Sequence, residues 1–331
     1  MNEKPGIIYD DVKKCVDEVI NYVGKDITFS MTLALGKPVL FINELYRRAK
    51  EDPEIKLRII TALTLEKPKG HSDLEKRFLG PLSDRVFSGV PEFDFMLDFR
   101  AGKLSKNVEV LEFFCKAGGY LGSPEAQQNH LATNYTHANR DALALGANVF
   151  GQLIGYRDIN GKTMYSMSCN TDVCLEAVQN FKKLRAKGMK VAIIGEANKK
   201  MPFMYGDAVV EADTYDIILQ GPQYDYELFC PPKDPVALPD HMIGLNVSTL
   251  IKDGGTIQVG IGALGDAIVS GLILRNDHND LYQKILQKSG IMKRYEKLIS
   301  EWGGLEFSRR GFMGPPKCLL MLLCRCIKAK S

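Results

Sequence analysis

A strand pattern, a helix pattern and a second strand pattern follow one another within residues 26–63, and few architectures accommodate that order. Residues 26–35 (DITFSMTLAL) are apolar and alternating, and Gly36-Lys37-Pro38 ends the run. Proline suits a first helical turn, where its missing N–H has no partner to lose. Val39, Ile42, Leu45 and Tyr46 then recur at helical spacing, and Arg47, Arg48 and Lys50 gather toward the end that favours cations. Residues 57–63 (LRIITAL) supply the second strand. Strand, crossover helix and strand make a βαβ unit, whose two strands run parallel.

The theme returns further on. Pro124 opens a short helix behind a Ser123 cap, with Glu125 in its first turn. Residues 173–187 are patterned as a helix that stops at Gly188, and residues 189–194 and 215–219 read as buried strands. The expected fold class is therefore α/β, a parallel sheet with helices on both faces. Pro231, Pro232, Pro235 and Pro239 crowd a stiff linker, which places a domain boundary at residues 230–245. Beyond it we expect a helix over 244–252, a strand over 256–259, a glycine turn, and a polar helical stretch over 280–301. The organisation follows as domains over 1–240 and 241–306, with a distinct tail over 307–331.

Composition narrows the function classes. Charged residues are 25% and hydrophobic residues 45% of the 331, the balance of a globular protein rather than a disordered chain. No apolar run is long enough to span a bilayer, so no membrane partner is expected. The opening Met1-Asn-Glu-Lys-Pro carries no apolar core of a secretory leader, and the eight cysteines then point to thiols in a cytoplasmic setting. The net charge of +3 divides unevenly: residues 307–331 hold six basic and no acidic residues, which leaves −3 for the first 306. A mildly acidic body gives no basic face for nucleic acid. The five histidines and the Cys169 and Cys174 pair have no metal-ligand spacing, so no metal site is expected.

Two motifs could carry chemistry. Gly260-Ile261-Gly262-Ala263-Leu264-Gly265 lies between the expected strand and a helix, where backbone N–H groups can approach an anion. A dinucleotide fingerprint, and with it an NAD(P)-dependent oxidoreductase, needs a following parallel strand that ends in an acid. Here Arg275-Asn276-Asp277-His278 follows the helix and no apolar strand does. A bare tight turn and a cradle for an anionic or charge-developing group remain as the other readings. Glu196 and Asn198, two apart after the strand at 189–194, either face the crevice where α/β ligands bind or form an Asx-type turn.

Residues 250–268 (LIKDGGTIQVGIGALGDAI) resemble the acetyl-CoA hydrolase/transferase family, which includes the 4-hydroxybutyrate and acetate CoA-transferases. The Gly36-Lys37-Pro38 block and Glu196-Ala-Asn198-Lys-Lys-Met-Pro look like that family's N-terminal domain, and the resemblance covers roughly residues 25–270. It implies a CoA-transferase-like (NagB/RpiA-type) parallel-sheet domain followed by a second, here incomplete, α/β domain. It implies acyl-CoA and a carboxylate as substrates, coenzyme A among them and no permanently bound cofactor, and it is compatible with a homo-oligomer. A glutamate of the second domain would attack the thioester, passing through an acyl-glutamyl anhydride to a glutamyl-CoA thioester. Gly260, Ile261, Gly262, Ala263 and Leu264 would contact CoA by family position, and Glu196 and Asn198 would face the substrate crevice.

The chain departs from the family pattern. Gly265 replaces a proline, a change expected to loosen the turn, and a polar helical insert spans about residues 271–306. The glutamate motif, typically Leu-Tyr-Gly-Ser-Ser-Glu-Met-Phe-Val, is absent, as is the later Gly-Gly-Gln-x-Asp segment. Residues 311–320, back-translated with the frame moved by two bases, permit that glutamate motif, its glutamate codon straddling Pro316 and Lys317. We therefore expect a frame change between about Glu306 and Gly311, a tail that is not family sequence, and a chain without its nucleophile. The competing expectation is a non-catalytic CoA-binding or interaction protein.

Overall fold

A computed structural model describes residues 6–229, 235–260 and 262–307. The chain divides into two compact units at Cys230/Pro231. Residues 308–331, with the Pro316–Lys317 junction, and Ile261 of the glycine turn lie outside the described residues.

The first unit is built on a parallel sheet. Its elements are β1 (Ile7–Tyr9), α1 (Val12–Val23), β2 (Asp26–Leu33), α2 (Val39–Glu51), β3 (Lys56–Ala62), α3 (Asp73–Val86), α4 (Asp94–Arg100), β4 (Val108–Glu112), α5 (Pro124–Gln128), α6 (Ala138–Ala144), β5 (Val149–Ile159), β6 (Lys162–Ser166), α7 (Thr171–Ala186), β7 (Ala192–Ala197), β8 (Val209–Val210) and β9 (Ile217–Leu219). The strands lie in the order β1-β9-β7-β5-β2-β3-β4, and β6 and β8 extend β5 in antiparallel pairs. From β2 the chain winds outward through β3 to β4, then returns to the other side of β2 as β5 and winds outward again through β7. The winding reverses between β2 and β5, and beyond the carboxyl ends of those strands lies the crevice such sheets use for ligands.

Side-chain alternation feeds two cores. Ile27, Phe29 and Met31 of β2 pack on one face with Val16, Ile42, Leu45 and Phe95 from α1, α2 and α4. Phe150, Ile193 and Ile218 point to the other face, against Cys174, Val178 and Phe181 of α7. Helices on both faces explain why these strands read as near-continuous apolar runs. The strand expected over 26–35 stops at Leu33, because Ala34 takes a left-handed φ of +48° that no ladder accommodates. That expected over 189–194 begins only at Ala192, where pairing with Val149 starts.

The second unit, as far as it is described, is helical: α8 (Leu238–Ser248), α9 (Ala263–Asp277), α10 (Asn279–Lys288), α11 (Ile291–Arg294) and α12 (Glu296–Trp302). Two expectations need correction here. The helix placed at 244–252 starts earlier, at Leu238, because Pro239 sits in its first turn, where a proline costs no hydrogen bond. Residues 256–259 form no strand; Thr256 makes a single bridge, and no continuous ladder runs beside them among the described residues. The buried guanidinium of Arg275 donates to the carbonyls of Ser248, Ile251 and Glu306, which ties the end of α8 to the segment after α12.

Close contact between α8 and α9 depends on a missing side chain. A Cβ on Gly244 would stand 2.3 Å from the Ala267 carbonyl oxygen. Gly244→Ala therefore forces two backbones apart and should lower the stability of the second unit by about 1–3 kcal/mol. Denaturant unfolding monitored at Trp302, on α12 of that unit, checks this; an unchanged midpoint would contradict the packing.

Candidate functional site

The crevice at the strand reversal is organised by one carboxylate. Glu196, near the end of β7, is fully buried. Helix α2 opens with Pro38 as its N-cap, a residue whose side chain has no acceptor to offer the first N–H groups of the helix. Glu196 supplies the acceptor from across the sheet: its Oε2 takes the Phe41 N–H at 2.8 Å and its Oε1 the Leu40 N–H at 3.4 Å. The Tyr226 hydroxyl donates to Oε1 at 2.8 Å. Burial still dominates and pushes the carboxyl up to about 7, against the lowering effect of these three donors.

Asn198 is also fully buried, and its amide builds the turn after β7. Its Oδ1 accepts the Lys200 N–H at 2.7 Å, an Asx-type geometry, while Nδ2 donates to the Tyr226 carbonyl at 3.0 Å. Glu196, within β7, and Asn198, just after it, thus converge on Tyr226, in the segment that leads out of the first unit.

Three residues of this neighbourhood were not singled out from sequence. Lys37, buried beside Pro38, donates to Thr64 Oγ1 at 2.7 Å, and its Nζ lies 5.4 Å from the centroid of the Phe93 ring. Burial lowers it to about 7, with the Glu112 and Glu66 charges pulling the other way. Glu112, at the end of β4, accepts the Thr64 N–H at 2.7 Å and the Tyr120 hydroxyl. Left-handed φ values at Ala34 and Leu63, just past β2 and β3, mark backbone strain at the same edge of the sheet. The Gly-Lys-Pro block was the available signal for Lys37; nothing in the sequence pairs Thr64 with Glu112.

The glycine turn belongs to the second unit. Gly260 and Gly262 are exposed, Ala263 is half-buried, and Leu264 is 45% exposed at the start of α9. Gly262 serves as N-cap with φ +129°, and no side chain caps the helix. A Cβ on Gly265 would lie 2.2 Å from the Gly260 carbonyl oxygen, so the turn closes tightly onto this glycine instead of loosening at it.

The two buried charges give stability a pH signature. Between pH 4.5 and about 7 the folded chain keeps a proton on Glu196 that the unfolded chain has released, so stability falls as pH rises through this window. Between about 7 and 10.5 the unfolded chain holds the extra proton, on Lys37, so stability rises again. At most, the acid limb is worth about 3 kcal/mol and the alkaline limb about 5 kcal/mol. In urea unfolding across pH, Glu196→Gln should flatten the acid limb and Lys37→Met the alkaline one. Slopes like the parent's in both variants would contradict these assignments.

No family model matches the chain. Over 121 residues it is 34% identical to the 4-hydroxybutyrate coenzyme A transferase of Clostridium kluyveri, a stretch that is 36% of this chain and 27% of that protein. Over 140 residues it is 26% identical to the succinyl-CoA:acetate/propanoyl-CoA:succinate CoA transferase of Fasciola hepatica, covering 40% of this chain and 27% of the relative. The matched stretches thus span about a quarter of the length of these curated relatives. Among solved structures, RipA from Yersinia pestis superimposes with a TM-score of 0.52 at 16% identity, over 94% of this chain and 68% of RipA. A point mutant of RipA gives 0.51 at 18%, over 93% and 69%. No described helix is long and apolar enough to cross a membrane. The chain is an α/β protein with the backbone fold of RipA, and over about a third of its length its sequence is similar to CoA-transferases.

Proposed function

We propose that this chain is an acetyl-CoA hydrolase/transferase-type protein of short-chain acyl metabolism in the cytoplasm, and that it binds coenzyme A without completing acyl exchange. The 34% identity to a 4-hydroxybutyrate coenzyme A transferase carries the reading. The turn at Gly260, Ile261, Gly262, Ala263 and Leu264 is the CoA-contacting element. Its exposed glycines and the helix start behind them suit phosphate or a developing oxyanion. Glu196 and Asn198 act in the crevice as positioning residues: their hydrogen bonds hold α2 and the Tyr226 segment in place, and neither oxygen set is spare for attack. Free thiols at Cys15, Cys115, Cys169 and Cys174 fit the compartment.

Exchange between an acyl-CoA and a carboxylate requires a carboxylate nucleophile that becomes acylated and then carries CoA. After the glycine turn the glutamates are Glu296, Glu301 and Glu306, and none lies in the family's Ser-Ser-Glu context. Removal of a covalent nucleophile typically costs orders of magnitude in rate. Titration calorimetry with CoA should therefore saturate, and Gly262→Val should weaken it by about tenfold, because valine resists the left-handed backbone. Acetyl-CoA incubated with butyrate should show acyl exchange no faster than buffer. Absence of CoA binding would overturn the family reading; robust exchange would overturn the missing-nucleophile reading.

A further inference from the structure

Residues 224–229 cross the carboxyl edge of the first unit's sheet as a strap rather than as a strand. One end is anchored: the Tyr224 hydroxyl donates to the Asp10 carbonyl at 3.0 Å and accepts the Val12 N–H at 3.1 Å. From Tyr226 to Phe229, no backbone group pairs with another backbone group among the described residues. Side chains hold the strap instead. Asp225 accepts the Lys199 N–H at 2.7 Å and the Tyr156 hydroxyl at 3.4 Å, and Tyr226 joins Glu196 and Asn198. Glu227 pairs with Lys200 at the surface, and Phe229 stacks on Phe87 with centroids 4.4 Å apart. A segment fastened by separate side-chain contacts, one of them an exposed ion pair, opens more readily than a laddered strand.

The strap roofs an apolar recess. Tyr226, Leu228 and Phe229 line a space of about 460 Å³, mouth included, together with Leu35, Val39 and Leu153. Leu35 and Val39 follow β2 and Leu153 lies on β5, so this space is the crevice where the winding reverses. Leu153 is 1% exposed yet belongs to neither apolar core of the sheet. We propose that residues 225–229 form a lid, hinged at Tyr224, which lifts to admit a ligand to this crevice. Lifting it hands the Tyr226 hydroxyl and the Asn198 amide to water and leaves the Glu196 bonds to Leu40 and Phe41 in place. Helix α2 and the sheet stay intact while the roof moves. The proposal rests on the acyl-transfer reading only in taking the crevice as a ligand's place; the motion itself needs no ligand.

Cysteine accessibility on the full chain, with no CoA or acyl compound present, tests the lid. Leu153→Cys places a thiol beneath it, and Cys174, fully buried on the other face of the sheet, registers global opening in the same molecule. Labelling by iodoacetamide is read by peptide mass spectrometry, each rate divided by that of the urea-unfolded chain. Position 153 should be labelled at least about tenfold faster than Cys174. A staple then locks the lid. A Cβ on Gly89 would stand 3.5 Å from the Glu227 Cβ, within the span of a disulfide. With Gly89→Cys and Glu227→Cys added, oxidation should slow labelling at 153 by at least about tenfold, leave Cys174 unchanged, and be reversed by reduction. Gly89 has a left-handed φ of +71°, so a second variant guards against a stapled chain that does not fold. Tyr226→Phe, which removes one lid bond, should speed labelling at 153 by about fivefold with Cys174 unchanged. Labelling at 153 no faster than at Cys174, or indifferent to the oxidised staple or to Tyr226→Phe, would each overturn the proposal. A CoA titration keeps the two readings apart: absence of CoA binding removes the acyl-transfer role and leaves the lid standing.

Discussion

The Glu196 carboxylate closing the N-terminus of α2 is the contact on which the rest of the first unit's functional edge depends. A helix that starts on Pro38 cannot cap itself, and its first N–H groups face the sheet interior rather than water. Glu196 comes from β7, two strands away from the β2 that precedes α2. One side chain therefore fastens the two halves of the sheet across the point where the winding reverses. The contact is costly in charge, which is why burial raises this carboxyl despite three donors. It is retained because without it two amides and a tyrosine hydroxyl would be left without a partner in a dry interior.

The consequences run outward from that contact. Tyr226 reaches Glu196 with its hydroxyl and Asn198 with its carbonyl, so the chain leaving the first unit is drawn over the sheet edge. Phe229 continues this segment and stacks on Phe87, forming one wall of the apolar recess. On the other side Lys37 is held beneath Phe93 by Thr64, whose own N–H is taken by Glu112. The second unit has a different logic: a close helix pair, α8 on α9, presents a glycine turn at a helix start, with the buried Arg275 satisfying carbonyls behind it. Rigid polar networks behind an accessible turn or recess are the arrangement that binding sites require.

Much of the sheet was legible in the sequence, and the reasons are local. β2, α2 and β3 were readable because apolar alternation, a Gly-Lys-Pro break and helical spacing agree with one another there. α7 was readable for the same reason, down to Gly188 beyond its end. β5 was not, although it is paired on both sides by β2 and β7, because Gly151 and Gly155 interrupt its apolar run. The segment at 256–259 misled because a short alternating stretch specifies a strand only where a neighbouring ladder exists, and none runs beside it among the described residues. At the site, Glu196 and Asn198 stood out by their place after a strand. Their partners Phe41 and Tyr226 are 155 and 30 residues away from Glu196, a separation that no spacing rule encodes.

Amide hydrogen exchange at Phe41 tests the central claim most directly. In the parent chain this N–H should exchange as slowly as the core amides of α2, since a buried carboxylate holds it at 2.8 Å. In Glu196→Ala it should exchange at the rate of an open helix end while the middle of α2 stays protected. Fast exchange of Phe41 in the parent, or equal protection in both chains, would contradict the account.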